Sequence, residues 1–396
     1  MKAAFNPKQP FELPLLLPSQ VPMQEWESAR VLKACVRSRA ALGALNEAAA
    51  TLPNPDVMLS SLVLLESQAS SEIENIVTTA DALFEAQQDA SRADAPTKET
   101  LAYRSSLYHG LQAIKQRPLS TRLIEEICSL TKGIDMQVRR VPGTQLSNAR
   151  TGETIYTPPQ GEALLRDKLA NWEWFCHVDA NDPRSEDERF VATLDPLVRM
   201  AVLHYQFEAI HPFLDGNGRT GRVINLLFLV QQGLLGQPVL YLSRYILQHR
   251  TRYYELLLAV SQEGSAEAWQ EWIVYMLDAV HETALWTLAK IKAIHRLMEE
   301  TQRRVEAHTK LGKQKDLITL LFKLPYCRIA DIVDADIAKR QTAAVYLQTL
   351  AQAGLLSTQE RGRDKLFLNH RLIALLKSES NDFEETNTLA SNTQLH

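Results

Sequence analysis

One run of the sequence, His211-Pro212-Phe213-Leu214-Asp215-Gly216-Asn217-Gly218-Arg219-Thr220-Gly221-Arg222, holds the side chains best suited to chemistry. His211 can take up a proton near neutral pH and so act as a base. Asp215 offers hard oxygens of the kind that hold Mg²⁺ beside phosphates. Gly216 and Gly218 permit backbone angles that other residues resist. With the free N–H groups of a helix start, they form a nest for an anion. Arg219 and Arg222 follow on the first turn of that helix, where guanidinium forks reach phosphate oxygens. A lone histidine or a lone Gly-x-Gly would read as a Gly-rich loop beside a buried imidazole. A base, a metal ligand, an anion nest and two arginines together describe phosphoryl or nucleotidyl transfer. In that chemistry, positioning and charge stabilisation carry most of the catalysis.

Two apolar, helix-like segments must position this run. Residues 194–210 precede it, as the end of a core helix starting at Phe190, and residues 223–235 follow it. His211 then closes the first helix and Gly216-Asn217-Gly218 opens the second.

The run resembles, residue for residue, the signature of the Fic family, His-x-Phe-x-(Asp/Glu)-Gly-Asn-Gly-Arg-x-x-Arg, and every fixed position matches. The resemblance implies a mainly α fold and transfer of AMP from ATP to a protein hydroxyl. By the same resemblance, His211 would deprotonate the target hydroxyl and Asp215 would hold Mg²⁺. Gly216, Asn217 and Gly218 would cradle the α- and β-phosphates, Arg219 would bind the β-phosphate region and Arg222 the γ-phosphate. Thr220 and Gly221 fall within the same nucleotide-binding run.

Upstream, Ser70-Ser71-Glu72-Ile73-Glu74-Asn75 lies in a helical stretch from Asp56 towards Ile76. Ser70 and Glu74 are one turn apart and share a face. Alone, the segment is a polar helix face or a helix start. Beside the signature it resembles the family's inhibitory motif, (Ser/Thr)-x-x-x-Glu-(Gly/Asn), with Ser70, Glu74 and Asn75 in the fixed places. This implies the class whose inhibitory helix precedes the core in the same chain. Glu74 would pair with Arg222, occupy the γ-phosphate place and leave ATP in an unproductive pose.

Composition sets bounds on the rest. A chain of 396 residues suffices for two or three domains. Its 45% apolar and 23% charged residues are those of an ordinary soluble globular protein. A net charge of −4 argues against a chain that coats nucleic acid over its whole surface. The sequence lacks an apolar run long enough for a membrane helix, and prolines and a Glu interrupt the N-terminal apolar patch. Four scattered cysteines, without metal-ligand spacing, read as reduced thiols in a cytoplasm.

In chain order, the expected domains are an N-terminal arm and helices over 1–100, a Fic core over 101–311, a further module over 312–377 and a disordered tail over 378–396. The arm, 1–25, is Pro-rich and extended. Residues 26–52 and 56–76 are helical, 82–100 form a connection, and 100–132 hold two helices split near Pro118. Residues 145–161 read as a β-hairpin turning near Thr151-Gly152. It resembles the Fic flap, which aligns the target by strand addition, with Ile155, Tyr156 and Thr157 on its edge. Residues 163–177 form a helix with core aromatics. After the signature, Tyr253 and Tyr254 fall where relatives often wall the adenine, Tyr254 being the nucleotide contact chosen and Gln248 a further polar candidate. Residues 269–309 read as a pair of helices.

Residues 312–377 follow the order helix, short helix, helix, two strands, which resembles a winged helix-turn-helix. Lys339, Arg340 and Gln341 stand near the start of its recognition helix. The module has 11 Lys/Arg against 6 Asp/Glu, so contact with DNA or with a protein partner is open. The expected function is a cytoplasmic, Mg²⁺- and ATP-dependent protein adenylyltransferase, held down by Glu74 and able to modify itself. The sequence also admits a homodimer that buries Glu74 or the flap. The alternatives are a DNA-binding regulator or toxin-like factor with the core as nucleotide sensor, and transfer or removal of another phosphate-containing group.

Overall fold

Prolines, left-handed residues and capping side chains divide this chain into helices. The computed structural model describes residues 5–50, 55–88, 91, 93–148, 150–179, 181–309, 311–361 and 364–382. The N-terminal helices are α1 (Ala29–Ala50), α2 (Pro55–Ile73), α3 (Ala80–Gln88), α4 (Ala95–Ala113) and α5 (Thr121–Lys132). A hairpin of β1 (Leu146–Ser147) and β2 (Thr154–Tyr156) follows, then α6 (Glu162–His177), α7 (Glu186–Thr193), α8 (Pro196–Ile210) and α9 (Asn217–Gln231). Next come α10 (Leu242–Gln248), α11 (Arg250–Glu263) and α12 (Ala266–His308). The remaining elements are α13 (Gln314–Lys323), β3 (Tyr326–Cys327), α14 (Ile329–Asp334), α15 (Arg340–Gln352), β4 (Ser357–Arg361), β5 (Asp364–Leu368) and α16 (His370–Lys377). The fold is mainly α, as expected.

The chain forms two compact units, one drawn mostly from residues up to Thr287 and the other mostly from Leu288 onward. In the first, α9 is the central helix, packed by α8, α5 and α4. Both α8 and α9 are buried on nearly every face, the pattern of helices inside a core rather than on its surface. Each fully buried Leu, Val, Ile or Phe there contributes roughly 1.5–3 kcal/mol, so the loop between α8 and α9 hangs from the most strongly fixed part of the unit. Phe213 anchors that loop, fully buried with its ring 6.4 Å from Phe207.

Caps set the helix ends. Asp94, Ser120 and Asp195 accept backbone N–H bonds at the starts of α4, α5 and α8, and Gly133 ends α5 at φ +69°. The hairpin pairs Leu146 with Tyr156 through a bulge and turns at Gly152, φ +71°.

Several boundaries differ from the sequence expectation. The supposed connection over 82–100 contains most of α3 and the start of α4; its Ala-rich composition is helix-forming despite its polarity. The core helix expected from Phe190 is broken, because Asp195 caps and Pro196 begins a new helix. The pair of helices expected over 269–309 is one continuous helix, α12, which lacks an internal Pro or Gly to stop it. Arg222 lies in the second turn of α9, not the first.

The second unit has the expected order α13, α14, α15, β4, β5, with β3 and α16 in addition. Its sheet runs β3-β5-β4, all antiparallel. Leu317, Phe322, Ile332, Leu347, Leu350, Phe367, Leu372 and Leu376 form its core. The buried Lys290 ammonium donates to the carbonyls of Leu375 and Ser378, 2.6 and 2.8 Å away, which fastens the end of α16. Residues 383–396 of the expected tail lie outside the described residues, as do Pro53, Asn54, Gly362 and Arg363.

Among the described residues, no helix is long and apolar enough to cross a membrane. All four cysteines are free and buried.

Candidate functional site

His211 caps the C-terminus of α8 in the left-handed region, φ 49°, its N–H still bonded to Phe207 O at 3.0 Å. A non-glycine residue held there is strained locally, and Arg139 supplies the restraint. The Arg139 Nε donates to His211 O at 2.8 Å, its Nη2 donates to Pro159 O, and its own N–H donates to Pro212 O at 2.8 Å. One buried guanidinium thus ties the histidine backbone to the segment that follows the hairpin. Burial and the Arg139 charge push the His211 imidazole down to about 4, so it is neutral at physiological pH.

The loop after His211 is organised by Asn217. Its Oδ1 accepts from Phe213 N–H and its Nδ2 donates to Phe213 O, both at 2.9 Å. Both side-chain functions are therefore bound to the loop's own backbone, and Asn217 is 2% exposed. The side chain thus closes its own loop. Gly216 adopts φ +81° as the cap of α9, which only glycine takes without strain. Gly221 faces α8: a methyl group there would come within 2.6 Å of Glu208 Oε1 and 3.2 Å of Phe207 Cδ1. It permits close helix approach and, like the fully buried Thr220, does not open to the site.

The end of α2 meets the start of α9. Arg222, 1% exposed, donates Nε to Ser70 Oγ at 2.8 Å, Nη2 to Ser70 O at 2.8 Å, and Nη2 to Glu74 Oε1 at 2.9 Å. Burial opposes the charge on Arg222, but Glu74 outweighs it and the guanidinium is held above its ordinary range. The same Glu74 oxygen lies against Gly218: a Cβ at that position would collide with it. Glu74 therefore places its carboxylate over the N-terminus of α9, where an anion is favoured.

Glu74 is not helical, although the sequence reading put it on a helix face. α2 ends at Ile73, and Asn75 takes φ +61° in the turn that follows. Asn tolerates this left-handed position better than branched residues do, which gives the Gly/Asn place of the motif a physical cause. The Asn75 Oδ1 accepts from Arg250 Nη1 at 3.0 Å. Farther up α2, the buried Glu66 accepts from Tyr103 OH at 3.1 Å, from Ser243 N–H at 2.9 Å and from Ser243 Oγ at 2.5 Å. It pins α2 to α4 and to the start of α10.

A second ion-pair chain lies on the other side of α9. Asp215 Oδ2 is 2.6 Å from Lys132 Nζ; Lys132 Nζ is 2.8 Å from Glu99 Oε1; and Glu99 Oε1 is 2.8 Å from Arg219 Nη2. Partial burial raises Asp215, but Lys132 and the Gly216 N–H hold it below the usual carboxylate range. Arg219 Nε and Nη1 are buried without partners. Among the described residues, no group of three or more His, Cys, Asp or Glu side chains could hold a metal.

The outer positions are mixed. Tyr253 is core: 1% exposed, with its hydroxyl 2.8 Å from His204 Nε2. Tyr254 stays 43% exposed, with Arg250 over its ring at 6.0 Å, and Gln248 is exposed at the end of α10. On the hairpin, Ile155 is exposed, whereas Tyr156 is buried with its hydroxyl on Ala209 O, 2.8 Å away. Thr157 is buried too; its Oγ1 donates to Pro7 O at 2.6 Å and its carbonyl accepts Phe11 N–H at 2.9 Å. The N-terminal arm thus covers Thr157, and of the expected flap edge Ile155 faces out.

Sequence reasoning did not single out Arg139, Lys132, Glu99, Glu66 or Glu208. Lys132 precedes a helix-ending glycine, an ordinary place for a basic residue, and Glu66 sits in an apolar helical stretch. For Glu66 and Glu208 a carboxylate within an apolar helical stretch is the one signal; for Arg139, Lys132 and Glu99 nothing in the sequence surroundings distinguishes them from surface charges.

Fold and site together define a helical protein in which a carboxylate from the turn after α2 meets a buried arginine near the N-terminus of a core helix. The chain belongs to the Fic/DOC family. The Fic/DOC family model matches residues 122–229, the Fic/DOC family N-terminal model residues 32–112, and the model described as protein adenylyltransferase SoFic-like, C-terminal domain, residues 297–372. The chain is 30% identical over 170 residues to a protein adenylyltransferase Fic of Drosophila erecta, covering 42% of this chain and 30% of that one. It is 31% identical over 96 residues to one of Aedes aegypti, covering 24% and 18%. The match thus spans less than a third of the length of these relatives. A crystal structure of a Fic family protein from Desulfovibrio desulfuricans shares the fold, with a TM-score of 0.52 and 16% identity over 86% of this chain and 96% of that one.

Proposed function

We propose that this chain transfers AMP from ATP to a hydroxyl group of a target protein and that Glu74 restrains the reaction. The observation that carries this reading is the Glu74 carboxylate on Arg222, 2.9 Å away, at the N-terminus of α9. A buried guanidinium and a helix start both call for an anion, and a phosphate of ATP can replace the carboxylate.

In this reading the neutral imidazole of His211 accepts the proton of the target hydroxyl. The hydroxyl oxygen attacks the α-phosphorus, the bond from that phosphorus to the bridging oxygen breaks, and pyrophosphate leaves. Arg219 and Arg222 bind the phosphates and offset their charge; the Gly216 and Gly218 backbone lets them approach closely. Asp215 fits a divalent cation: its side chain is 66% exposed, and Mg²⁺ in phosphate sites commonly takes one or two protein carboxylates and fills its other places with phosphate oxygens and water. Bound there, Mg²⁺ would neutralise phosphate charge. Ile155 on the hairpin is the side chain open to a target strand.

The test is incubation of wild type, Glu74→Gly, and Glu74→Gly with His211→Ala with α-labelled ATP, Mg²⁺ and a cell lysate. Label on the chain itself or on a lysate protein with Glu74→Gly alone is the expected result. Label with none of the three would move the reading to a nucleotide sensor, and release of AMP from a labelled target would move it to the reverse reaction.

The second unit supports a separate reading, contact with duplex DNA. Its strand order β3-β5-β4 and the helix α15 match a winged helix, and Lys339, Arg340 and Gln341 are exposed at the start of that helix. Salt-dependent retardation of DNA by the full chain tests it; no retardation at low salt assigns the module to protein contacts.

A further inference from the structure

Lys132 and Glu99 have no task in the proposed AMP transfer, although both pair with charged residues of the signature run. Lys132 is the last residue of α5, and Gly133 turns the chain away immediately after it. Its stem runs along Gly216, where a Cβ would come within 3.2 Å of Lys132 Cγ and Cδ. Glycine at 216 thus also makes room for the lysine. The ammonium then bridges Asp215 Oδ2 and Glu99 Oε1, 2.6 and 2.8 Å away, with 17% of the side chain exposed. The other oxygen, Asp215 Oδ1, accepts the Gly216 N–H at 2.6 Å, so the ammonium sits on the oxygen that the backbone leaves to a cation. Two cations repel at such short range, so each weakens the other's hold on the carboxylate.

We propose that Lys132 is the built-in cation of the Asp215 site: it holds the Asp215 carboxylate in place in the nucleotide-free protein, and a divalent cation must displace it to bind. The proposal rests on Asp215 being the metal ligand of the reading above. Glu99 makes the exchange feasible. Displaced from Asp215, the lysine keeps Glu99, so no buried charge is left unpaired. Glu99 also holds Arg219 at 2.8 Å. A phosphate that draws Arg219 away leaves Glu99 to Lys132 alone, and this loosens Lys132 from Asp215. Phosphate and metal therefore favour one another's binding through a chain of three ion pairs. Lys132 is a positioning residue in this scheme, acting through Asp215.

The test is titration of Mn²⁺ into the nucleotide-free full chain, with free Mn²⁺ read by electron paramagnetic resonance, for wild type, Lys132→Met, Lys132→Arg and Asp215→Asn. The expected result is an Asp215-dependent site that binds Mn²⁺ about tenfold tighter in Lys132→Met, a change of the size that neighbours of metal ligands produce. Lys132→Arg should stay near wild type, because the charge is kept. A merely structural lysine would weaken the site when removed, not tighten it. Lys132→Gln replaces Lys132→Met if the methionine variant does not fold. Equal Asp215-dependent affinity in Lys132→Met and wild type overturns the role of Lys132 and leaves Asp215 as ligand. Absence of any Asp215-dependent site in all variants overturns both.

Discussion

Glu74 Oε1 and Arg222 Nη2 meet at 2.9 Å, the first from the turn that ends α2 and the second from inside the buried helix α9. The two partners differ in exposure: 34% of the Glu74 side chain is exposed and 1% of the Arg222 side chain. The carboxylate is thus the partner that water can reach, whereas the guanidinium is enclosed.

Removing Glu74 should lower stability and raise responsiveness to nucleotide. A fully buried pair costs roughly 3–5 kcal/mol to break. Arg222 keeps two bonds to Ser70 and Glu74 is partly exposed, so Glu74→Gly should cost less, about 1–3 kcal/mol. Thermal unfolding checks this: ATP with Mg²⁺ should raise the melting temperature of Glu74→Gly more than that of wild type. Equal shifts would count against exchange of carboxylate for phosphate.

Arg139 should act on rate, not on nucleotide affinity. Lysine cannot reproduce a fork that reaches the carbonyls of His211 and Pro159 together. In the Glu74→Gly background, Arg139→Lys should lower kcat about 10–100-fold, as misplacement of a reacting group does, with KM for ATP little changed. A raised KM at unchanged kcat would instead place Arg139 with the nucleotide.

The pH dependence follows from two enclosed imidazoles. Burial pushes His211 to about 4 and His204 to about 3, against an ordinary 6.5. Both stay neutral in the folded chain, while the unfolded chain takes up protons below 6.5. Their share of stability is therefore complete above 6.5 and is lost as pH falls toward 4. The kcat/KM of Glu74→Gly should be flat through pH 6.5, since it reports the free enzyme. An inflection there would mean that His211 is open to solvent.

Gly221→Ala should destabilise without touching the nucleotide pocket. Its Cβ would sit 2.6 Å from Glu208 Oε1 and 3.3 Å from His204 Cε1. Burial pushes Glu208 up to about 8, so it is mostly protonated and has no solvent to swing into at no cost. A loss of about 1–3 kcal/mol is expected for overpacking of this kind. A melting temperature equal to that of wild type would show that Glu208 moves aside freely.

The sequence by itself marked the run from His211 to Arg222 and its place between two helices, because that run needs only the order of its residues and a helix on either side. It determined Ser70, Glu74 and Asn75 as well, through their fixed spacing, and the order of elements in the C-terminal unit. Helix boundaries were legible where a proline or a cap marks them and were misread where composition alone had to decide, as over 82–100 and 269–309. Tertiary structure decided the rest. It turned Asn217 inward to close its loop, set Gly221 against α8 and assigned Tyr253 to the core. It covered Thr157 with the N-terminal arm, although the hairpin itself was legible. Lys132, Glu99 and Arg139 were invisible for one physical reason. A polar contact gains its meaning from distance in space, and these residues lie 72 to 120 positions from the residues of the signature run that they hold (Arg139 to His211 and Glu99 to Arg219).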